Sequence, residues 1–190
     1  PGKKLSFMGN EIGQFREWDY KGSIEWFLLD YEKHARFQLY MAELNSLYLK
    51  TPALWQLDDG WAGFEWLAVD DQERSVVAFM RMAGKCTPVV CVTNFTPVVY
   101  GQYRLALPCD CTLTEIFNTD RIQYAGSNQY NAYELHAEKA EFNGFPYSVE
   151  ICVPPLSTVY FRYDKILPPP KPSRRFRTLS RPAVSRRHSS

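Results

Sequence analysis

The sequence predicts an α+β chain in three parts: a βα unit, an all-β sandwich and a disordered basic tail. Three observations carry this. Phe37, Tyr40, Met41, Leu44, Leu47 and Tyr48 recur at spacings of three and four, one apolar stripe of a helix. Short β-rich runs follow at intervals of about ten residues, with turn-rich segments between them. Residues 164–190 are rich in Pro, Ser and Arg and hold few large apolar groups.

Residues 1–55 open on a short apolar segment, Lys4-Leu5-Ser6-Phe7-Met8, stopped by Gly9. It reads as a buried strand. A polar stretch from Asn10 to Ser23 follows, broken by Gly13 and Gly22. Asp30 is a plausible helix start and Pro52 a firm stop. Strand, loop and amphipathic helix make one βα unit. Such a unit does not fold alone, because its strand needs parallel neighbours and its helix needs a sheet to cover.

Residues 56–163 carry strand signals at 64–69, 76–81, 89–93, 102–107, 113–117, 148–153 and 158–162. Asp70-Asp71-Gln72-Glu73 and Gly126-Ser127-Asn128-Gln129 are among the turns that separate them. Phe64-Glu65-Trp66-Leu67-Ala68 and Val149-Glu150-Ile151-Cys152-Val153 alternate as strands with one buried and one wetter face. This is the texture and size of a β-sandwich.

The net charge of +1 hides an asymmetry. Residues 164–190 hold eight basic groups and one acid, whereas the rest hold 14 basic and 20 acidic groups. The acidic body is not suited to nucleic-acid binding through a general positive field. The 12 Phe, 12 Tyr and 5 Trp exclude a chain that is disordered throughout. No apolar run approaches the roughly 20 residues that cross a bilayer, so no membrane partner is expected. Pro1 to Gln14 lacks the features of a signal peptide. Five cysteines (Cys86, Cys91, Cys109, Cys111, Cys152) are an odd and sparse set for a disulfide framework. Cys109-x-Cys111 lacks the two-residue spacing of zinc knuckles, and His34, His136 and His188 lie far apart. Reduced thiols, no metal and no cofactor are the expectation.

The densest polar and aromatic cluster is the first loop, Asn10-Glu11-Ile12-Gly13-Gln14-Phe15-Arg16-Glu17-Trp18-Asp19-Tyr20. Loops at the C-terminal ends of parallel strands build active sites. Carboxylates, a guanidinium, an amide and an indole suit a sugar, whose hydroxyls bond in pairs and whose C–H face packs on a ring. The alternative is a solvated loop with one packed Trp. A glycosidase acid pair from Glu11, Glu17 and Asp19 is discounted, since closeness in sequence says nothing of the separation across a glycosidic bond. Asn94-Phe95-Thr96 matches the glycosylation acceptor pattern but reads better as a strand end before Pro97. Asn118-Thr119-Asp120 reads as a turn held by side-chain-to-backbone bonds. Arg177 to Ser180 and Arg186 to Ser189 offer basic Ser motifs that suit kinases or polyanions, or a solvated charge run.

Several segments taken together carry a resemblance. Lys4-Leu5-Ser6-Phe7-Met8-Gly9-Asn10-Glu11-Ile12-Gly13-Gln14 with Arg16-Glu17-Trp18 resembles the last barrel strand and loop of the 1,4-alpha-glucan (glycogen) branching enzymes of the alpha-amylase superfamily. Gly63-Phe64-Glu65-Trp66-Leu67, Asn94-Phe95-Thr96-Pro97-Val98, Glu115-Ile116-Phe117-Asn118-Thr119-Asp120, Gly126-Ser127-Asn128 and Pro154-Pro155-Leu156 resemble that family in its order. The resemblance covers about residues 1–163, and Ser6 and Phe15 depart from it.

The resemblance implies that residues 1–55 are the last strand, loop and helix of a truncated (β/α)8 barrel. Residues 56–163 are then the C-terminal sandwich, and 164–190 the tail. It implies a cytoplasmic glycosyltransferase of glycogen biosynthesis acting by double displacement. The nucleophile Asp, the acid/base Glu and the third Asp of that family lie on earlier strands, so no catalytic residue is expected in this chain. Its contribution would be glucan contacts from Glu11, Gln14, Arg16, Glu17 and Trp18. The implied partners are α-glucan (glycogen or amylose-like chains) and the upstream remainder of the barrel. Other readings are a related debranching enzyme, a non-catalytic sandwich that binds glucan or protein, and a tail that binds nucleic acid.

Overall fold

The computed structural model describes residues 2–166. One helix, α1 (Glu32–Lys50), precedes the strands β1 (Phe64–Asp71), β2 (Val76–Ala83), β3 (Cys86–Asn94), β4 (Tyr100–Leu107), β5 (Cys111–Asn118), β6 (Leu135–His136), β7 (Tyr147–Val153) and β8 (Ser157–Lys165). Six strands form one sheet in the order β1-β2-β3-β8-β5-β6, and β4-β7 form a separate ribbon. All their pairings are antiparallel.

The ribbon lies over one face of the six-stranded sheet and α1 over the other. Between sheet and ribbon sits the main core. Ala78, Val90, Val92, Leu113, Val159 and Phe161 come from the sheet, and Leu105, Leu107, Ile151 and Val153 from the ribbon. The opposite face packs Val89 and Cys91 with Ala53, Leu54, Leu47 and Tyr48. Successive β3 side chains therefore enter opposite cores. A strand covered on both faces reads as an unbroken apolar run, which is why Val89-Val90-Cys91-Val92 shows no alternation. The β7 alternation is regular: Val149, Ile151 and Val153 are buried and Glu150 is exposed. In β1 the alternation breaks at an irregularity between Trp66 and Ala68, which buries Leu67 and Ala68 together.

All seven expected runs form strands. β6 was not expected; it pairs only Leu135 with Leu113 and His136 with Thr112, too short to leave a period in the sequence. The helix begins two residues after Asp30, which instead closes a 3-10 turn, Trp26–Asp30. Pro52 stops the helix by opening the next turn, Pro52–Leu54. The apolar stripe of α1 is half-buried against the sandwich rather than against a barrel. Tyr40 lies 6.2 Å from Phe117 and 5.6 Å from Tyr124, ring to ring. Arg36 donates to the Ile122 carbonyl at 2.8 Å, and the Tyr124 hydroxyl donates to Glu43.

Two expectations need correction. Lys4-Leu5-Ser6-Phe7-Met8 is not a strand, and Leu5 is 91% exposed. A parallel strand needs a hydrogen-bonded neighbour, and none runs beside this segment among the described residues. Asp164 and Lys165 are not tail: they extend β8 and pair with Thr112 and Cys111. The disorder and the basic Ser motifs expected farther on fall on 167–190, outside the described residues.

Two motif asparagines organise the ends of the sandwich. Asn94 is buried; its amide nitrogen donates to the carbonyls of Val98 (2.7 Å) and Pro154 (2.9 Å). Its oxygen accepts from the Thr96 amide and hydroxyl at 2.9 and 2.8 Å. Asn118 accepts from the Asp120 amide at 2.8 Å and donates to the Gln129 carbonyl at 2.9 Å. Asp120 in turn takes the amides of Ser127 and Gln129. Gly126 fits here only because it lacks a side chain: a Cβ would stand 2.2 Å from the Asp120 carbonyl oxygen.

Candidate functional site

The loop that precedes α1 is built by local backbone bonds. Gly9 adopts a left-handed φ of 87°, and the amides of Ile12 and Gln14 both bond its carbonyl, at 3.2 and 3.0 Å. Ile12 is fully buried and pins the turn Asn10–Ile12 to the helix. His34 on α1 donates from Nδ1 to the Ile12 carbonyl at 2.7 Å, since a carbonyl can only accept. Loop and helix therefore hold one another in place.

The five expected contact residues do not converge equally. Gln14 is a brace: its Nε2 donates to the Arg16 carbonyl at 2.8 Å, and its Oε1 accepts from the Glu25 amide at 2.9 Å. Arg16 reaches across to Glu25 at 3.4 Å while its side chain stays 86% exposed. Glu11 sits half-buried in the turn, and Glu17 is exposed. Trp18 is half-buried and meets the edge of Phe7, with ring centroids 5.8 Å apart at 87°.

Beside this loop runs a groove of about 620 Å³. Phe15, Arg16, Glu25, Phe27, Leu28, Tyr31, Glu32, Lys33 and His34 line it. Of the five expected residues only Arg16 is in that lining; Glu11, Gln14, Glu17 and Trp18 stand outside it. The sequence reading missed Glu25, Phe27, Tyr31 and His34. Their signal was the run of aromatic residues Trp26, Phe27 and Tyr31 just ahead of the helix, whose rings are exposed. Aromatic faces beside a guanidinium and carboxylates can stack a pyranose ring and bond its hydroxyls.

A second polar centre ties the first segment to the sandwich. Asp58 is fully buried and accepts from Lys4 Nζ at 2.7 and 2.8 Å and from Arg81 at 2.5 Å. Burial alone would push its carboxyl up, but the hydrogen bonds from Lys4 and Arg81 together outweigh it and hold the carboxyl below its ordinary value. Among the described residues no cluster of His, Cys, Asp or Glu is arranged to hold a metal ion. No helix there is long and apolar enough to cross a membrane.

Residues 66–164 match the family described as the alpha amylase C-terminal all-beta domain. The 1,4-alpha-glucan branching enzyme GlgB of Halothermothrix orenii is 42% identical over 165 residues, 85% of this chain and 26% of that enzyme. The enzyme of the same name from Synechococcus sp. is 42% identical over 165 residues, covering 86% of this chain and 22% of its own length. That of Pseudoalteromonas atlantica is 43% identical over 164 residues, with the shares again 86% and 22%. The chain thus spans about a quarter of the length of the curated relatives it matches. Its antiparallel sheet and ribbon, matched over nearly all of their length, place the chain in the family of the alpha amylase C-terminal all-beta domain.

Proposed function

We propose that this chain is the C-terminal part of a 1,4-alpha-glucan branching enzyme. In that enzyme an α-1,4 bond is cleaved and the chain transferred to a 6-hydroxyl, forming an α-1,6 branch. The observation that supports this reading is the 42% identity to enzymes of that name, which begins ahead of the sandwich and takes in most of the chain. On this reading residues 1–55 hold the last strand, loop and helix of a (β/α)8 barrel. Leu5 and Phe7, exposed here, would be covered by neighbouring barrel strands. The three catalytic carboxylates belong to those earlier strands.

The loop would then meet α-glucan from the edge of the catalytic face. Trp18 offers an indole to a glucose ring, and Glu11, Arg16 and Glu17 bond hydroxyls. Gln14 holds the loop that carries them. The enzyme works in the cytoplasm, uses no cofactor and has glycogen or amylose-like chains as its partner.

The test is an activity assay on the 190-residue chain. Incubated with amylose and stained with iodine, it should leave the long-wavelength absorbance unchanged. Joined to the upstream sequence of the Halothermothrix orenii enzyme, it should give new α-1,6 linkages. Branching by the chain alone, or none by a folded hybrid, overturns the reading.

A further inference from the structure

Cys109 lies in, and Cys111 directly after, the bend where the chain leaves β4, in the ribbon, and enters β5, in the large sheet. Cys109 is half-exposed and Cys111 fully buried. Both cysteines stand beside one residue on β8. The Cys109 sulfur lies 2.8 Å from the Tyr163 hydroxyl, and Cys111 shares with Tyr163 the core between sheet and ribbon. The register agrees: Cys111 pairs with Lys165, which leaves Tyr163 as its diagonal neighbour on the inner face. Residues two apart have Cα atoms at most about 7 Å from one another. The bend over 108–110 shortens that distance toward the disulfide window of about 4.4–6.8 Å. The other three thiols lie on different elements, Cys86 and Cys91 on β3 and Cys152 on β7.

We propose that Cys109 and Cys111 are a redox pair, closed to an intrachain disulfide by hydroperoxides. Cys109 is the thiol that meets the oxidant, because it alone of the two reaches solvent. Its thiolate attacks hydrogen peroxide: the S–O bond forms, the O–O bond breaks, and hydroxide leaves and takes up a proton as water. The Cys111 sulfur then attacks the Cys109 sulfenic acid. The S–S bond forms, the S–O bond breaks, and the hydroxyl leaves as water with the Cys111 proton. Two thiols and one peroxide thus give one disulfide and two waters. Tyr163 can donate its hydroxyl hydrogen to the Cys109 thiolate before the attack. Burial raises the Cys111 thiol to about 12, so the second step is the slow one and speeds up with pH. The closed pair takes the Cys109 thiol away from the Tyr163 hydroxyl at the corner that joins the two sheets.

The experiment treats the whole folded chain with hydrogen peroxide at pH 8, removes the peroxide, unfolds the chain in urea, alkylates the remaining thiols and maps the peptides. The expected result is the loss of two of the five alkylatable thiols, located at Cys109 and Cys111 and restored by dithiothreitol. In Cys111→Ser the reaction should stop at a Cys109 sulfenic acid that dimedone traps. If that variant does not fold, the wild-type peptide map decides alone. Cys111 still alkylatable after Cys109 is oxidised, or a disulfide to any other cysteine, overturns the proposal.

Discussion

Asp58 and Arg81 form an ion pair at 2.5 Å with both side chains out of solvent, and Lys4 closes the third side at 2.7 Å. Asp58 lies in the connection between α1 and β1, and Arg81 lies on β2. The pair therefore fixes how the helical part sits on the sheet. Asp58→Ala leaves a guanidinium buried without its partner, which costs about 3–5 kcal/mol. Urea unfolding should read that loss. A change within 0.5 kcal/mol would mean the pair is not holding the junction.

The same carboxylate gives a pH signature. Its folded value is held below the ordinary 3.8, so the folded state favours the ionised form. Its stabilisation is complete above that value and is lost as pH falls through the lower, folded one. The melting temperature of the wild type should drop more steeply below pH 4 than that of Asp58→Asn. Parallel curves would contradict this.

Asn94 spends its amide on four bonds inside the fold. Asn94→Ala strands those partners, at about 1–3 kcal/mol for each buried group left unpaired. Expressed in a glycosylating host, the folded chain should carry no glycan at Asn94. Mass spectrometry of the 94–96 peptide checks both the site and its occupancy.

The segment ahead of α1 should make the chain associate. Leu5 (91% exposed), Phe15 (82%) and Tyr20 (76%) stand free, with Phe27 and Tyr31 beside them. Apolar patches beyond a few hundred Å² mark interaction or aggregation sites. Light scattering after size exclusion should show self-association and binding of a hydrophobic dye. A monodisperse monomer without dye binding would count against it.

The sandwich was legible because its strands carry their own period. β7 alternates cleanly, and turn residues bracket each run. Even β3, without alternation, is marked by its Val-rich run. The segment at Leu5 and Phe7 was not legible in the same way. Apolar content signals what a strand would bury, while its pairing depends on neighbours that local sequence does not name. For the same reason the stripe of α1 marked the helix's apolar face without revealing that the sandwich half-covers it. Of the groove lining, Arg16 stood out by residue type, but the bracing role of Gln14 and the place of Glu25 in the groove depend on how the loop folds back.

The claim that this loop serves a glucan rests most directly on Trp18. In the hybrid with the upstream sequence of the Halothermothrix orenii enzyme, Trp18→Ala should cost about 1–3 kcal/mol of transition-state binding, about 5- to 150-fold in kcat/KM. The melting temperature should hardly move. If Trp18 only packs, between Phe7 and the barrel strands that would bury it in the hybrid, the substitution should instead cost about 3–5 kcal/mol of stability, the scale for emptying a large buried site. Transglycosylation kinetics and thermal unfolding measured on the same preparation separate the two. Reduced turnover with an intact melt is the predicted result; unchanged turnover with a collapsed melt would contradict the account.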